Sequence, residues 1–564
     1  MSAVAIAAAG LICMFAGYRF YSKFIAERIY QLDPTFETPS HTMSDGKDYV
    51  PTHRIVLWGH HFTAVAGAAP IIGPGIAVIW GWLPAFIWVV VGTVFFAGVH
   101  DFGAIWASVR NGAKSIGALT GDVVGQRARN LFMIVIFLLL LMVNAVFAVA
   151  ISDALLATPA SVIPAWSAVV VALFIGVLLY RLHVGIFWPT LVGTVILYAV
   201  IYVGERVPVT LPADFWGLGP SAQWVLILFA YAAVASLLPV WLLLQPRDYI
   251  NGIQLFIGLG LLYVAVALAR PDIVAPALNF NVPANTPPLA PLLFVTIACG
   301  AVSGFHGLVG SGTTSKQLNK ETDARFVGYL GSLGEGALAL VAIIAATAGF
   351  QSRADWEGVY HTFGGGGIDA FVTGGANIVS SGTSLSSEFA ATLLTVMAVL
   401  FAGTTMDAGV RLQRYIVQEW GAIYRIAPLR NGYVATMVAV GSCLVLAFGA
   451  GGAEGSGGMV LWPLFGTTNQ ILAGLTLLVV SVILVKLGRP SRYTLTPMMF
   501  VTSMAFLSAV YQLWGLYESE NYLLVVIDGC IIFATVWVML EAASALARER
   551  RARGLATEVS RAEG

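Results

Sequence analysis

Four histidines, an aspartate and a glutamate sit inside stretches apolar enough to cross a bilayer. They are His60 and His61 in "LWGHHF", His100 and Asp101 in "GVHDF", His306 in "SGFHG" and Glu335 in "GSLGEG". Ionisable groups are costly in hydrocarbon, so those found there face a protein interior or a polar path and point to function. An imidazole beside a carboxylate can pass a proton near neutral pH, and His60, His61, His100 and Asp101 together could also ligate a metal ion. Counted from Arg54, the first two histidines stand about 10 Å up a helix, and His100 and Asp101 reach a similar depth on the next, antiparallel span. Glu335 stands about 15 Å above Arg325, near the midplane, where a carboxyl suits a proton carrier. The plainer reading makes each histidine a packing residue bonded to a carbonyl and Glu335 a carboxyl bonded to a gap in the backbone.

Two spans carry residues that break helices. "AVAGAAPIIGPG" places Gly67, Pro70, Gly73, Pro74 and Gly75 directly after the first histidines. A break at mid-membrane bares N–H groups on one side and C=O groups on the other, and the N–H side can receive a carboxylate without any basic side chain. The competing reading is a proline-kinked packing helix. The second broken span, "ACGAVSGFHGLVGSGTTSK" over 298–316, adds the hydroxyls of Ser303, Ser311, Thr313 and Thr314, which suit a sodium ion or an ordered water. Lys316 invites comparison with a phosphate loop, but Ser315 and Gln317 replace the required Gly and Ser/Thr neighbours, so nucleotide binding is rejected.

Other polar residues read as structural or gating. Gln245, Arg247 and Asp248 in "LLLQPRDYING" form a tight inner turn between spans. Asp407 and Arg411, at i and i+4, read as an anchoring ion pair at an inner helix end. Asn469 and Gln470 in "WPLFGTTNQILAG" are either glue between helices or a lining of the pathway.

The elements that position these groups are transmembrane helices. The chain is 58% hydrophobic and 10% charged, far below the roughly 25% charged of a soluble domain. Its zero net charge says nothing of nucleic acid. Windows of about 20 apolar residues give some fifteen spans, among them 53–81, 83–108, 222–244, 290–313, 325–349 and 386–404. With the N-terminus outside, every Lys and Arg except Arg206, Arg270 and Arg353 falls in an inner segment, the asymmetry that sets membrane orientation. No span then carries a basic residue near its centre. Trp58, Trp80 and Trp82 fall where aromatic belts lie. The proline-rich 269–289 segment and the Gly/Ser-rich 350–385 segment could cap an entrance, but read more simply as flexible linkers. Cys13, Cys299, Cys443 and Cys530 read as packing residues, and the N-terminal apolar run as a retained helix. The basic tail reads as a solvated cytoplasmic end able to touch anionic lipid.

"DGKDYVPTHRIVLWGHHFTAVAGAAPIIGP", "HDF", "QPRDY", "SGFHGLVGSGTTSKQL" and "WPLFGTTNQ" resemble the signature segments of the carbon starvation protein A family, from about residue 45 to 515. The resemblance implies a bacterial inner-membrane carrier of short peptides or pyruvate. It also implies membership of the amino acid, polyamine and organocation superfamily, with a LeuT-like core of five plus five inverted helices. That core would be 53–404, preceded by an N-terminal helix and loop (1–52) and followed by four further spans (405–546) and the tail (547–564). In such a fold the hydroxyls of Ser311 and Thr313 would face a cation site at the first break.

Three classes of function are compared on these grounds. A secondary transporter needs a cavity at broken helices, a coupling group and no nucleotide motif, and the sequence offers all three. A channel would show repeated pore elements or rings of like charge, which are missing. A metal-dependent membrane enzyme using the His/Asp cluster is the alternative. The expected architecture is thus an all-α integral membrane protein with the C-terminus cytoplasmic. It imports pyruvate or a short peptide at His60, His61, the Gly67–Gly75 break, Ser303 and His306, without an organic cofactor. A proton or sodium ion couples through Asp101, Glu335, Ser311 or Thr313. The sequence leaves the oligomeric state open.

Overall fold

A computed structural model describes residues 2–46, 48–185, 187–239, 242–284, 286–451 and 458–563. The described residues are helical, with only isolated bridges such as Thr52 to Leu318. Thirteen helices among them are long and apolar enough to span a membrane, and one bent pair makes a fourteenth. In chain order the elements are α1 (Ala3–Ile29), the bent pair α2 (Arg54–Val65) and α3 (Ala69–Trp80), α4 (Trp82–Arg110), α5 (Gln126–Ala157) and α6 (Pro159–Leu179). Then come α7 (Phe187–Arg206), α8 (Pro220–Leu237) and α9 (Leu244–Ala269). The fifteenth expected span, 290–313, is no continuous helix: it divides into α10 (Leu289–Thr296), an irregular stretch, and α11 (Gly304–Val309), which runs into a π turn over Gly310–Thr314. The chain continues with α12 (Arg325–Ala348), the short α13 (Gly367–Gly382), α14 (Ser387–Ile423), α15 (Gly432–Ala450), α16 (Val460–Lys486), α17 (Arg492–Glu518) and α18 (Tyr522–Arg548).

Local sequence explains these boundaries. Pro70 lacks an N–H and disfavours helix at the residue before it, and Gly67 frees the backbone just upstream. The chain leaves α2 at Ala66 (φ −75°, ψ 74°) and re-enters helix bent by 51°. Ser386 caps α14 by accepting the Phe389 N–H at 3.1 Å. The lipid-facing helices carry exposed apolar side chains, such as Phe15 on α1, Val195 on α7 and Val526 on α18.

The apolar window of α16 is buried along its whole length, more completely than that of α12 or α14. This span, expected to lie outside the transport core, is thus enclosed by other helices among the described residues. The two long segments 269–289 and 350–385 are packed, contrary to their reading as flexible linkers. Trp82 and Leu83 donate backbone N–H bonds to Pro276 and Ala277 at 3.1 Å. The Tyr360 hydroxyl donates to the Gly75 carbonyl at 2.6 Å, and Trp356 stacks on Tyr360. Trp80 and Trp82 are buried beneath these segments and form no lipid belt; the Trp80 indole donates to Pro287 O at 3.0 Å.

Candidate functional site

The intramembrane ionisable groups converge where α4, α11 and α12 meet. Asp101 on α4 accepts three side-chain contacts. Its Oδ1 lies 2.7 Å from His100 Nδ1, and its Oδ2 lies 2.9 Å from His306 Nδ1 and 2.5 Å from the donating Ser332 hydroxyl. The other nitrogen of His306, Nε2, stands 3.0 Å from Glu335 Oε2, an ion-pair distance whose alignment falls short of a hydrogen bond. Asp101, His306 and Glu335 thus form a carboxylate–imidazole–carboxylate chain, each member at most 1% exposed. Glu335 Oε1 has no partner. Ser332, one helical turn before Glu335 and so on the same face of α12, belongs to the chain and was not singled out from the sequence.

The glycines around Glu335 allow this approach. A Cβ at Gly331 would stand 2.8 Å from His61 Cδ2, and one at Gly334 2.7 Å from Phe62 Cε2. α2 therefore packs directly on the α12 backbone. His61 does not join the carboxylates: its Nδ1 lies 2.8 Å from Thr314 Oγ1, and its Nε2 has no partner. His60 faces elsewhere. It lines a cavity of about 380 Å³ with Thr52, Gly59, Thr63, Tyr249 and Gln317, bounded by α2 and the first turns of α9.

The hydroxyls expected at a cation site are bonded elsewhere. Ser311 donates to Gly307 O at 2.6 Å and accepts the Ile116 N–H at 2.9 Å, and Thr313 donates to Val309 O at 2.9 Å. The π turn over 310–314 adds a residue to the helical repeat, and Thr314 is the residue that meets α2.

The two breaks differ in how their backbone is satisfied. At the second, Asn469 Oδ1 accepts the Phe305 N–H at 3.0 Å, its Nδ2 lies 3.1 Å from Ser303 Oγ, and Gln470 Nε2 donates to Phe294 O at 2.9 Å. Trp88 and Trp462 donate to the carbonyls of Ile297 and Thr296. Asn469 and Gln470 thus bond α16 to both sides of the second break. At the first break Gly67 N bonds back to Val65 O at 2.9 Å, and no side chain caps the start of α3. Gly67, Pro70, Gly73, Pro74 and Gly75 are all buried. The 380 Å³ cavity reaches Thr63, one turn short of Gly67.

Asp407 and Arg411 lie well inside α14 and do not pair with each other as their spacing suggested. Arg411 Nη2 donates to the Ala235 and Leu238 carbonyls at 2.7 and 2.8 Å, closing the free C-terminal end of α8. Asp407 instead pairs with Arg247 and accepts the Tyr231 hydroxyl at 2.8 Å. Arg247 and Asp248 belong to α9 and are buried. Arg247 stands in the first turn of α9, near the start of its span and not at its centre, and pairing with Asp407 makes its burial tolerable. The Gln245 side chain lies outside the described residues.

Comparison with known proteins decides the family. The profile of the carbon starvation protein CstA family matches residues 2–355 and 352–509. The chain belongs to the CstA family. A peptide transporter CstA of Campylobacter jejuni is 33% identical over 563 residues, covering 89% of this chain and 79% of the relative. The pyruvate/proton symporter BtsT of Escherichia coli is also 33% identical, over 566 residues, covering 87% and 78%. A solved manganese transporter of Eremococcus coleocola is 14% identical with a TM-score of 0.51, covering 90% of this chain and 99% of that one; the likeness is one of fold. CstA-family relatives are thus named for transport, not catalysis. In this CstA-family chain the described residues place no three His, Cys, Asp or Glu side chains around one metal position. The relatives' names give the enzyme reading no support.

Proposed function

We propose that this protein is a secondary transporter that imports pyruvate or a short peptide together with a proton, by alternating access. The observation that carries the proposal is the buried Asp101–His306–Glu335 chain, with imidazole nitrogens 2.9 and 3.0 Å from the two carboxylates. Among the described residues no Lys or Arg pairs with it, so a proton arriving or leaving changes the charge of the whole cluster, and a buried charge change must be offset by a rearrangement or a ligand. Its three members lie on three elements, so the change is felt by α4, α11 and α12 together.

The substrate reaches the first break from the side of the basic loops in the conformation described. About 380 Å³ falls within the roughly 300–1,000 Å³ of small-molecule pockets. The positive-inside rule makes that side cytoplasmic, with the N-terminus outside and the C-terminus inside a bacterial inner membrane. A LeuT-like core at 53–404 is supported by the bend between α2 and α3 and by α8, which stops at Leu237 with Leu238 extended.

The test is uptake into proteoliposomes of labelled pyruvate and of a labelled dipeptide under separate proton and sodium gradients. Accumulation driven by the proton gradient is expected. Accumulation that follows only sodium overturns the coupling assignment, and none under either gradient overturns the transport reading.

A further inference from the structure

Arg247 is a buried cation whose hydrogen-bonding capacity is half used. Its side chain is 2% exposed, and its Nη1 donates to Tyr231 Oη at 2.6 Å and to Asp407 Oδ2. Its Nε and Nη2 have no partner. Those two N–H groups share one edge of the guanidinium, the side-on fork that takes a carboxylate through two parallel hydrogen bonds. The same Arg247 lines a cavity of about 40 Å³ walled by Leu155, Trp166, Leu228, Tyr231 and Leu400. At about 10–15 Å³ for each water-sized position, it has room for a carboxylate and little more. Trp166 meets Tyr231 edge-on at 5.3 Å, an aromatic wall beside the charge. A buried N–H without a partner is costly, more so when charged, so a fork left open is either filled by a ligand or costly to keep.

The geometry points to a carboxylate-binding site at Arg247, in which the Nε/Nη2 edge receives the carboxylate of the transported molecule beside Trp166 and Leu228. The inference rests on the reading of the chain as a carboxylate importer, and it places the carboxylate on a side chain instead of on the bare N–H groups of α3. Both positions border one turn of α14. Thr405 lies against Gly67 of the first break, and Asp407, two residues on, holds Arg247. A substrate bound at Arg247 is thereby adjacent to the turn that packs on the break. Asp407 orients the guanidinium through Nη1 and leaves the other edge free. Asp248, whose Oδ1 has no partner, is the internal competitor for that edge.

The experiment uses the purified full-length protein, with binding of labelled pyruvate and of Ala-Ala measured against Ala-Ala amide, which lacks the carboxylate. The unsubstituted protein is expected to bind Ala-Ala and to reject the amide. Arg247→Lys keeps the charge facing Asp407 but loses the fork, and is expected to weaken both carboxylate ligands by about 10- to 100-fold. Tyr231→Phe removes only the hydroxyl beside Nη1; it is expected to raise KM for uptake several-fold with kcat unchanged, a split that loss of folding would not give. Asp248→Asn removes the competing charge and is expected to tighten carboxylate binding. Unchanged affinity in a monodisperse Arg247→Lys protein, or equal binding of Ala-Ala and its amide, overturns the assignment while leaving carboxylate import standing. Failure of the unsubstituted protein to take up either substrate overturns import itself.

Discussion

His306 Nε2 lies 3.0 Å from Glu335 Oε2, which ties the short helix after the second break to the middle of α12. Glu335 Oε1, on the far side of that carboxyl, has no partner. A proton on Glu335 would weaken the attraction to His306 without removing the contact, so protonation and the α11–α12 spacing are coupled. Glu335→Gln fixes the neutral form. It is expected to abolish proton-driven accumulation, so that internal substrate rises no higher than external, while exchange across the membrane persists and loses its dependence on pH. Accumulation at the unsubstituted level in reconstituted vesicles removes Glu335 from the coupling path.

The sequence made the spans and the depth of the acidic and imidazole groups legible, because apolar length and helical rise are local quantities. His306 and Asp101 were both singled out, yet their contact joins residues 205 positions apart and leaves no mark on spacing. Thr314 stands among the hydroxyls of the second broken span, but the family resemblance points to Ser311 and Thr313; the contact of Thr314 with His61 joins residues far apart in the chain, at the end of a π turn that spacing alone does not reveal. Arg247 looked like a loop residue because positive charges usually mark loops; only the buried partner Asp407, on a helix far along the chain, explains its place inside. The same locality of sequence evidence hid α16, whose apolar composition gives no hint that other helices enclose it.

Asn469 shows what α16 contributes. Its amide serves the Phe305 N–H, Ser303 and Cys299 at once, all within the second break. Asn469→Ala leaves the Phe305 N–H buried without its side-chain acceptor, at a cost of about 1–3 kcal/mol, while Ser303 and Cys299 keep only each other. A fall in the apparent melting temperature of the detergent-purified protein is expected, with Asn469→Asp, which keeps an acceptor for Phe305 N, falling less. Equal melting of all three forms would show that the second break is held by Gln470 and the tryptophans alone.

The Arg247–Asp407 pair gives a stability prediction independent of ligand binding. Removing one partner of a buried ion pair strands the other charge, typically costing about 3–5 kcal/mol. Asp407→Ala is expected to destabilise the purified protein by that order. Asp407→Asn is expected to cost less, because its side-chain carbonyl still accepts from Nη1 and from the Tyr231 hydroxyl. Thermal or urea unfolding in detergent ranks the two variants, and a ranking with asparagine the worse would contradict the pairing described.

The first break has one close neighbour that decides whether it can move. A Cβ added at Gly67 would stand 2.6 Å from Thr405 Oγ1 but 3.6 Å from Thr405 Cβ, so the clash is with the hydroxyl and not with the rest of α14. Overpacking a buried position costs about 1–3 kcal/mol, and here it would push α14 away from the bend. Gly67→Ala is expected to slow uptake of pyruvate or dipeptide by roughly ten-fold or more, on the same scale of energy. Thr405→Ala removes the clashing oxygen, so the double variant Gly67→Ala, Thr405→Ala is expected to recover most of the loss, with a coupling of about 0.5–3 kcal/mol between the two positions. Additive effects in the double variant would mean that Gly67 is required for its backbone freedom and not for the space it leaves to Thr405, because relief of a contact is the one contribution that removing the hydroxyl can restore.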